Sequence, residues 1–132
     1  ALKVLLVEDS IALQRLLNEM LADIPEVEVV GSVESEHAAI DAINSAPTDL
    51  AIIDLELKAG TGLGLLKAIK QNPQNSGSLE VVVFSNYSNL IIRHRCLSLG
   101  AQAFFDKSFQ VEELLHFVQQ RASKIVTGPL HD

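Results

Sequence analysis

The stretch Leu50-Ala51-Ile52-Ile53-Asp54 decides the fold. Four apolar residues run without interruption into one acid. A strand with one wet face alternates apolar and polar residues, whereas an unbroken apolar run reads as a strand buried on both faces, the mark of a parallel sheet covered by helices. In such sheets ligands bind beyond the carboxyl ends of the strands. Asp54 is therefore expected where a buried strand surfaces at a functional edge. An Asp at a strand end often does no more than open a turn, so its meaning depends on what the neighbouring strands deliver.

Working outward, the same motif recurs. Lys3–Val7 is a buried strand that ends at Glu8-Asp9. Ser10 is a good N-cap, and Ile11, Leu13, Leu16, Leu17, Met20 and Leu21 at helical spacing predict a helix to about Asp23. Beyond the break at Pro25, Val27–Val33 alternates weakly as a second strand. Ser35 caps a helix to about Ser45, with Ala38, Ala39, Ala42 and Ile43 on its apolar side. Ala46-Pro47-Thr48 turns the chain into the 50–54 strand. The loop 56–62 carries two glycines and leads to a helix with Leu63, Leu65, Leu66 and Ile69, ending near Gln71. Asn72–Ser78 is a polar loop.

A fourth strand, Leu79–Phe84, ends at Ser85. A helix over Asn89–Leu99 is closed by Gly100. The short strand Ala103–Phe105 ends at Asp106-Lys107. Val111, Leu114, Leu115 and Val118 predict a last helix to about Ala122, and Ile125–Asp132, with Gly128-Pro129, reads as a tail. Residues 1–124 are thus expected to form one unit, with 125–132 appended. Five β-then-α units in alternation predict an α/β fold, a single doubly wound five-stranded parallel sheet of (βα)5 type. The flavodoxin-like strand order 2-1-3-4-5 is the expected arrangement.

The totals narrow the function. A length of 132 residues with 48% apolar content suits one domain with a sizeable core. Seventeen acids against ten Lys plus Arg give a net charge of -7. That charge opposes binding to a nucleic-acid backbone, and no basic stripe relieves it. The single Cys96 precludes an internal disulfide and is compatible with a cytoplasmic setting. It reads as a packed small apolar residue. His37, His94, His116 and His131 lack metal-ligand spacing and are expected at the surface. No apolar run approaches the ~20 residues of a membrane span.

The strand ends then collect one set of groups: Glu8 and Asp9, Asp54, Ser85 and Lys107. Three carboxylates repel one another, and protons or a cation must offset that. Oxygen-only ligands suit a hard divalent ion, and Mg²⁺ is normally held by one or two carboxylates together with waters and phosphate oxygens. A lysine beside such a cation is reasonable when an anion lies between them. A phosphoryl group is such an anion, and an Asp carboxylate is a competent nucleophile toward phosphorus. Catalysis would then be mostly positioning and charge neutralisation.

In these residues the chain resembles the receiver domain of bacterial response regulators, over about Lys3–Ala122. The acidic pair Glu8-Asp9, the acceptor Asp54, the hydroxyl of Ser85 and Lys107 all match the family pattern in order. So do Gly62 in the loop after the acceptor and Gly100-Ala101 before the fifth strand. The resemblance implies phosphoryl transfer to Asp54 from a histidine kinase or phosphotransfer protein. It implies Mg²⁺ held by Asp9, Asp54 and the backbone carbonyl of Glu56, with Glu8 acting through water. The only chemistry implied is the domain's own phosphorylation and dephosphorylation. Ser85 and Phe104 are the implied switch pair, acting on a face made by the fourth helix, fifth strand and fifth helix. That face would engage a downstream protein or an output domain of the same chain. Glu56, Asn86 and Tyr87 occupy positions that tune phosphoryl lifetime.

Four positions depart from the family pattern, one of them Phe104, where Tyr is frequent; without a hydroxyl to bond outward, its inward state is expected to be easier to populate. Ser108 stands where Pro is usual and is expected to loosen the loop presenting Lys107. Lys58 also replaces a common Pro. Asn86 is bulkier than the usual small residue and is expected to narrow access to the site. Leu90, Ile91 and Ile92 cannot all face the core, so a partner or homodimer contact is expected on the fourth helix. Two alternatives remain beside this reading. One is a Mg²⁺-dependent nucleic-acid enzyme of topoisomerase-primase type, mimicked by Glu8 and Asp54-Leu55-Glu56. The other is a non-phosphorylated receiver-like binding module. A flavin or nucleotide binder is weaker, because no glycine-rich phosphate loop follows the first strand.

Overall fold

The computed structural model describes residues 1–71 and 78–127. Its elements run β1 (Leu2–Val7), α1 (Ile11–Ala22), β2 (Val27–Val33), α2 (Glu36–Ser45), β3 (Leu50–Ile53), α3 (Gly62–Gln71), β4 (Glu80–Ser85), α4 (Leu90–Ser98), β5 (Ala103–Asp106) and α5 (Val111–Thr127). All adjacent strands pair in parallel, in the order β2-β1-β3-β4-β5. The α/β class and the strand order are those expected from the sequence. Most of the polar loop after α3 (72–77) lies outside the described residues.

The unbroken apolar runs fill two cores, one on each face of the sheet. Side chains alternate across a strand. Leu5, Val7, Ala51, Ile53, Val81, Val83 and Phe104 therefore point to one side, where Ala39 of α2, Leu65 and Leu66 of α3 and Cys96 of α4 cover them. Val4, Leu6, Leu50, Ile52, Val82 and Phe84 point to the other, under Leu17 and Leu21 of α1 and Leu114, Val118 and Ala122 of α5. β2, at the sheet edge, alternates half-buried and exposed positions.

Two helices differ from the sequence reading. In α1, Ile11 and Leu16 are about half exposed, while Gln14, Leu17 and Leu21 form the buried stripe. The i, i+3, i+7 row admits only one face, and a polar residue occupies its first place. α5 continues one turn beyond Ala122 to Thr127. No breaker intervenes before Gly128-Pro129, and Lys124 in the last turn suits the helix dipole. In α4, Leu90 and Ile91 are exposed and Ile92 packs on the core, as three adjacent apolar residues on a helix require. The amides of Gly100 and Ala101 close α4 onto the carbonyls of Leu97 and Cys96. Gly100 adopts a left-handed φ of 104° there.

Register brings the functional ends level. Val7 lies opposite Ile53, and Ile53 opposite Val83. Ser85 lies opposite Asp106. The residues just past β1, β3 and β5, and the last residue of β4, therefore meet at one edge.

Candidate functional site

Glu8, Asp54 and Lys107 are each held by an extension of the sheet ladder. The Glu8 amide donates to the Val33 carbonyl at 2.9 Å, the Asp54 amide to the Val7 carbonyl at 2.9 Å, and the Lys107 amide to the Ser85 carbonyl at 3.2 Å. Gly62 packs against the acceptor strand so closely that a Cβ on it would lie 2.3 Å from the Asp54 carbonyl oxygen. Only glycine fits there.

Lys107 is the centre of the charge arrangement. Its Nζ lies 2.6 Å from Glu8 Oε1 and 2.6 Å from Asp54 Oδ2. Glu8 and Asp54 are 3% and 5% exposed, so these are two largely desolvated carboxylates sharing one ammonium. Asp9 is more open and has no ion-pair partner among the described residues. One oxygen from each of Glu8, Asp9 and Asp54 lies within 4.8 Å of the others. At that separation each like-charge pair costs about 3 kcal/mol at an effective dielectric of 20.

The remaining contacts set orientation. Glu8 Oε2 accepts from the Ser10 amide at 2.9 Å, and Asp54 Oδ1 accepts from the Glu56 amide at 3.3 Å. Burial drives the Glu8 pKa above the ordinary glutamate value, against the lowering effect of Lys107 and the Ser10 amide. Burial alone would lower the pKa of Lys107. The bonds to Asp54 and Glu8 outweigh it and hold Lys107 above its ordinary value, so it stays an ammonium at neutral pH.

Three carboxylates against one ammonium leave an excess of two negative charges beside oxygen-only donors. That composition fits a divalent hard cation. Glu8, Asp9 and Asp54 are the residues available to hold one, with the Glu56 carbonyl in the adjoining loop.

Ser85 is fully buried, and its Oγ accepts the Tyr87 amide at 3.1 Å. Tyr87 is half exposed. Asn86, on the rim, accepts from Ser108 Oγ at 3.1 Å. The Ser108 amide, which proline would lack, donates to Asp106 Oδ1 at 2.7 Å. Two bonds thus tie this loop, where the missing proline had suggested slack. Asp106 also accepts from Ser88 Oγ, and its pKa is lowered, first by that bond and then by the Ser108 amide. Phe104 is 6% exposed and packs in the core, with the Arg93 guanidinium 4.9 Å from its ring centroid. Lys58 pairs loosely with Glu34 at 3.7 Å, on the surface.

Two contributors were not singled out from sequence. Gln14 Nε2 donates to the Glu8 carbonyl from the buried stripe of α1. A polar residue in register with Leu17 and Leu21 was the available signal. Arg93, over Phe104, also donates to Gln110 Oε1 at 3.2 Å, and no spacing announces it.

A five-stranded parallel sheet with an acid-and-lysine site at its carboxyl edge defines a receiver-type signalling domain. The response regulator receiver domain family model matches residues 4–119, and the chain belongs to that family. It is the receiver domain of a two-component response regulator. A protein-glutamate methylesterase/protein-glutamine glutaminase of Trichodesmium erythraeum is 33% identical over 107 residues, which are 80% of this chain and 30% of that protein. The chain spans only about a third of the length of such curated relatives, 28–35% of each.

Among solved structures, the Mn(2+)-bound form of response regulator Rcp1 is 29% identical with a TM-score of 0.75, covering 91% of each chain. The phosphorylated cyanobacterial phytochrome response regulator RcpA is 26% identical with a TM-score of 0.75, covering 96% of this chain and 94% of its own. The nucleic-acid enzyme and the plain binding module find no support in these matches.

Proposed function

We propose that Asp54 is the phospho-acceptor of this receiver, with a histidine kinase or phosphotransfer protein of the cytoplasm as donor. An Asp54 carboxylate oxygen attacks phosphorus, the donor's P–N bond breaks, and the imidazole leaves with its electron pair. The observation that carries this reading is the Lys107 ammonium, 2.6 Å from Asp54 Oδ2 and buried beside Glu8. From there it passes to a phosphoryl oxygen as Asp54 becomes an acyl phosphate, which stabilises the charge that the transfer brings in. Asp9, Asp54 and the Glu56 carbonyl would hold Mg²⁺ directly, with Glu8 acting through water. Bound there, the ion would supply positive charge to offset that of the transferring phosphoryl group.

The Ser85 hydroxyl donates to the phosphoryl group once formed, and Phe104 follows it as the switch aromatic. The α4-β5-α5 face then changes partner, either a separate protein or an output domain. Leu90 and Ile91, at 74% and 79% exposed, supply the apolar contact of that face, for a partner or for a second copy. Glu56, Asn86 and Tyr87 border the phosphoryl group and set its lifetime. A Glu56→Ala variant is expected to change the dephosphorylation rate, measured by loss of the phosphorylated mass with time.

Two relatives support the chemistry: one similar receiver binds Mn(2+) and another is phosphorylated. The test is intact mass after incubation with Mg²⁺ and acetyl phosphate. One phosphoryl mass is expected, absent in Asp54→Asn and in chelator. No gain from either a small donor or a phosphorylated histidine donor, together with no Mg²⁺ binding, would overturn the reading.

A further inference from the structure

The N-terminus of α3 carries half of a capping box. Thr61 Oγ1 accepts the Gly64 amide at 2.9 Å, and the Thr61 carbonyl accepts the Leu65 amide at 3.1 Å. Thr61 is therefore the N-cap and Gly64 the N3 residue. In a complete box an N3 Glu or Gln reaches back to the N-cap amide. Glycine has nothing to reach with.

The missing acceptor comes from another helix. Glu36, the first residue of α2, places Oε1 3.0 Å from the Thr61 amide. A Cβ built on Gly64 would lie 2.4 Å from that same Oε1, and the three nearest atoms it meets all belong to the Glu36 carboxylate. The Glu36 carboxylate therefore fills the space an N3 side chain would take. Its own amide donates to the Ala59 carbonyl at 3.0 Å, and the Lys58 amide donates to the Glu34 carbonyl at 3.3 Å. The loops after β2 and β3, whose strands flank β1, are thus joined across the end of β1.

The loop so held is the one that begins at Glu56. It closes on itself through the Glu56–Thr61 bridge and is anchored to the acceptor by the Glu56 amide on Asp54 Oδ1. We propose that Glu36 is a positioning residue for the metal: it completes the α3 capping box from α2 and thereby fixes the loop that presents the Glu56 carbonyl. The inference rests on the Mg²⁺ site described under Proposed function. Nothing in it requires Glu36 to touch the ion.

The test is reciprocal rescue, read by calorimetric Mg²⁺ titration and by metal-free thermal unfolding. Glu36→Ala is expected to weaken Mg²⁺ binding about tenfold, the low end for residues that orient a ligand. Glu36→Gln keeps an acceptor oxygen and should bind Mg²⁺ like the parent. Gly64→Glu alone crowds Glu36 and should also weaken binding. In the Glu36→Ala, Gly64→Glu double variant the space is free and the box is rebuilt within α3. Its Mg²⁺ affinity should return to within about twofold of the parent.

Losses that add in the double variant would overturn the proposal. So would a Glu36→Ala protein that loses stability but binds Mg²⁺ unchanged, since capping alone would then explain it. If Gly64→Glu alone fails to fold, the Glu36→Ala and Glu36→Gln pair decides. A parent that binds no Mg²⁺ would overturn the site itself and this inference with it, whereas a binding parent with indifferent Glu36 variants overturns only the inference.

Discussion

Replacing Lys107 with methionine should destabilise the metal-free protein strongly and make Mg²⁺ unusually stabilising. Met keeps the length and apolar bulk of the side chain and removes the ammonium that lies 2.6 Å from both Glu8 and Asp54. Two nearly inaccessible carboxylates are then left facing each other, with Asp9 beside them. Removing one partner of a buried ion pair costs about 3–5 kcal/mol. The residual exposure of Lys107, 15% for its side chain, argues for about 3 kcal/mol, the low end of that range. With about 2.1 cal/mol/K per residue of unfolding entropy, a chain of 132 residues converts this to a fall in Tm of about 11 °C.

The assay is thermal and urea unfolding of parent and variant at neutral pH, in chelator and in saturating Mg²⁺. The ion should close most of the gap, because it supplies the positive charge the variant lacks. Lowering the pH should also close it. The folded-state pKa of Glu8 is raised, so its contribution to stability is fully present below the ordinary glutamate pKa of about 4.3 and is lost as pH rises through the folded value. Without Lys107 the raise is larger, and the variant gains on the parent as the medium is acidified. A variant within about 1 kcal/mol of the parent in chelator, a typical single-substitution effect, would refute this account of the site. A gap indifferent to both Mg²⁺ and pH would do the same.

Other consequences are simpler to check. Ser10→Ala removes the Oγ that accepts the Leu13 amide at 3.2 Å and should lower stability by about 1 kcal/mol, seen as a shift of the urea midpoint. Cys96 is fully buried and its thiol is pushed up by that burial, so a thiol reagent should label it only on unfolding; labelling of the native protein at the rate of a free thiol would contradict the packing. Leu90→Lys and Ile91→Lys lie on an exposed face and should shift unfolding by less than about 0.5 kcal/mol while reducing partner binding or self-association by sedimentation. Unchanged association in both would remove that face from the interaction surface.

Much of the site was legible because parallel sheets make it so. A strand buried on both faces must be written in apolar residues, so the first polar residue marks where it emerges. Leu50–Ile53 before Asp54, Val4–Val7 before Glu8 and Val81–Phe84 before Ser85 each announce a strand end in this way. Short ladders in register then leave those ends little freedom to be anywhere but together. The misplaced positions in α1 have a matching cause. Helical spacing tolerates more than one apolar stripe, and Ile11 and Leu16 belong to the stripe that no sheet covers. Tertiary cover, not periodicity, chose between them.

What stayed hidden are the contacts whose meaning depends on a missing partner. Thr61-Gly62-Leu63-Gly64 shows a helix start with no acid at N3, and nothing local says that Glu36, 25 residues earlier, supplies it. Ser108 in place of proline reads as slack until Asn86 and Asp106 are seen to receive its hydrogen bonds. Lys107 reads as a phosphate ligand, yet here it holds two carboxylates together. The last case joins stability to function. On the proposed mechanism, an ammonium that offsets two buried acids is also the group that a phosphoryl oxygen would have to draw away, so the same 2.6 Å contacts that steady the resting domain would oppose its phosphorylation. Mg²⁺ held by Asp9 and Asp54 would offset that opposition by leaving Lys107 less necessary to the resting site. The cost of removing Lys107 with and without the ion therefore measures how far the resting charge balance restrains the switch.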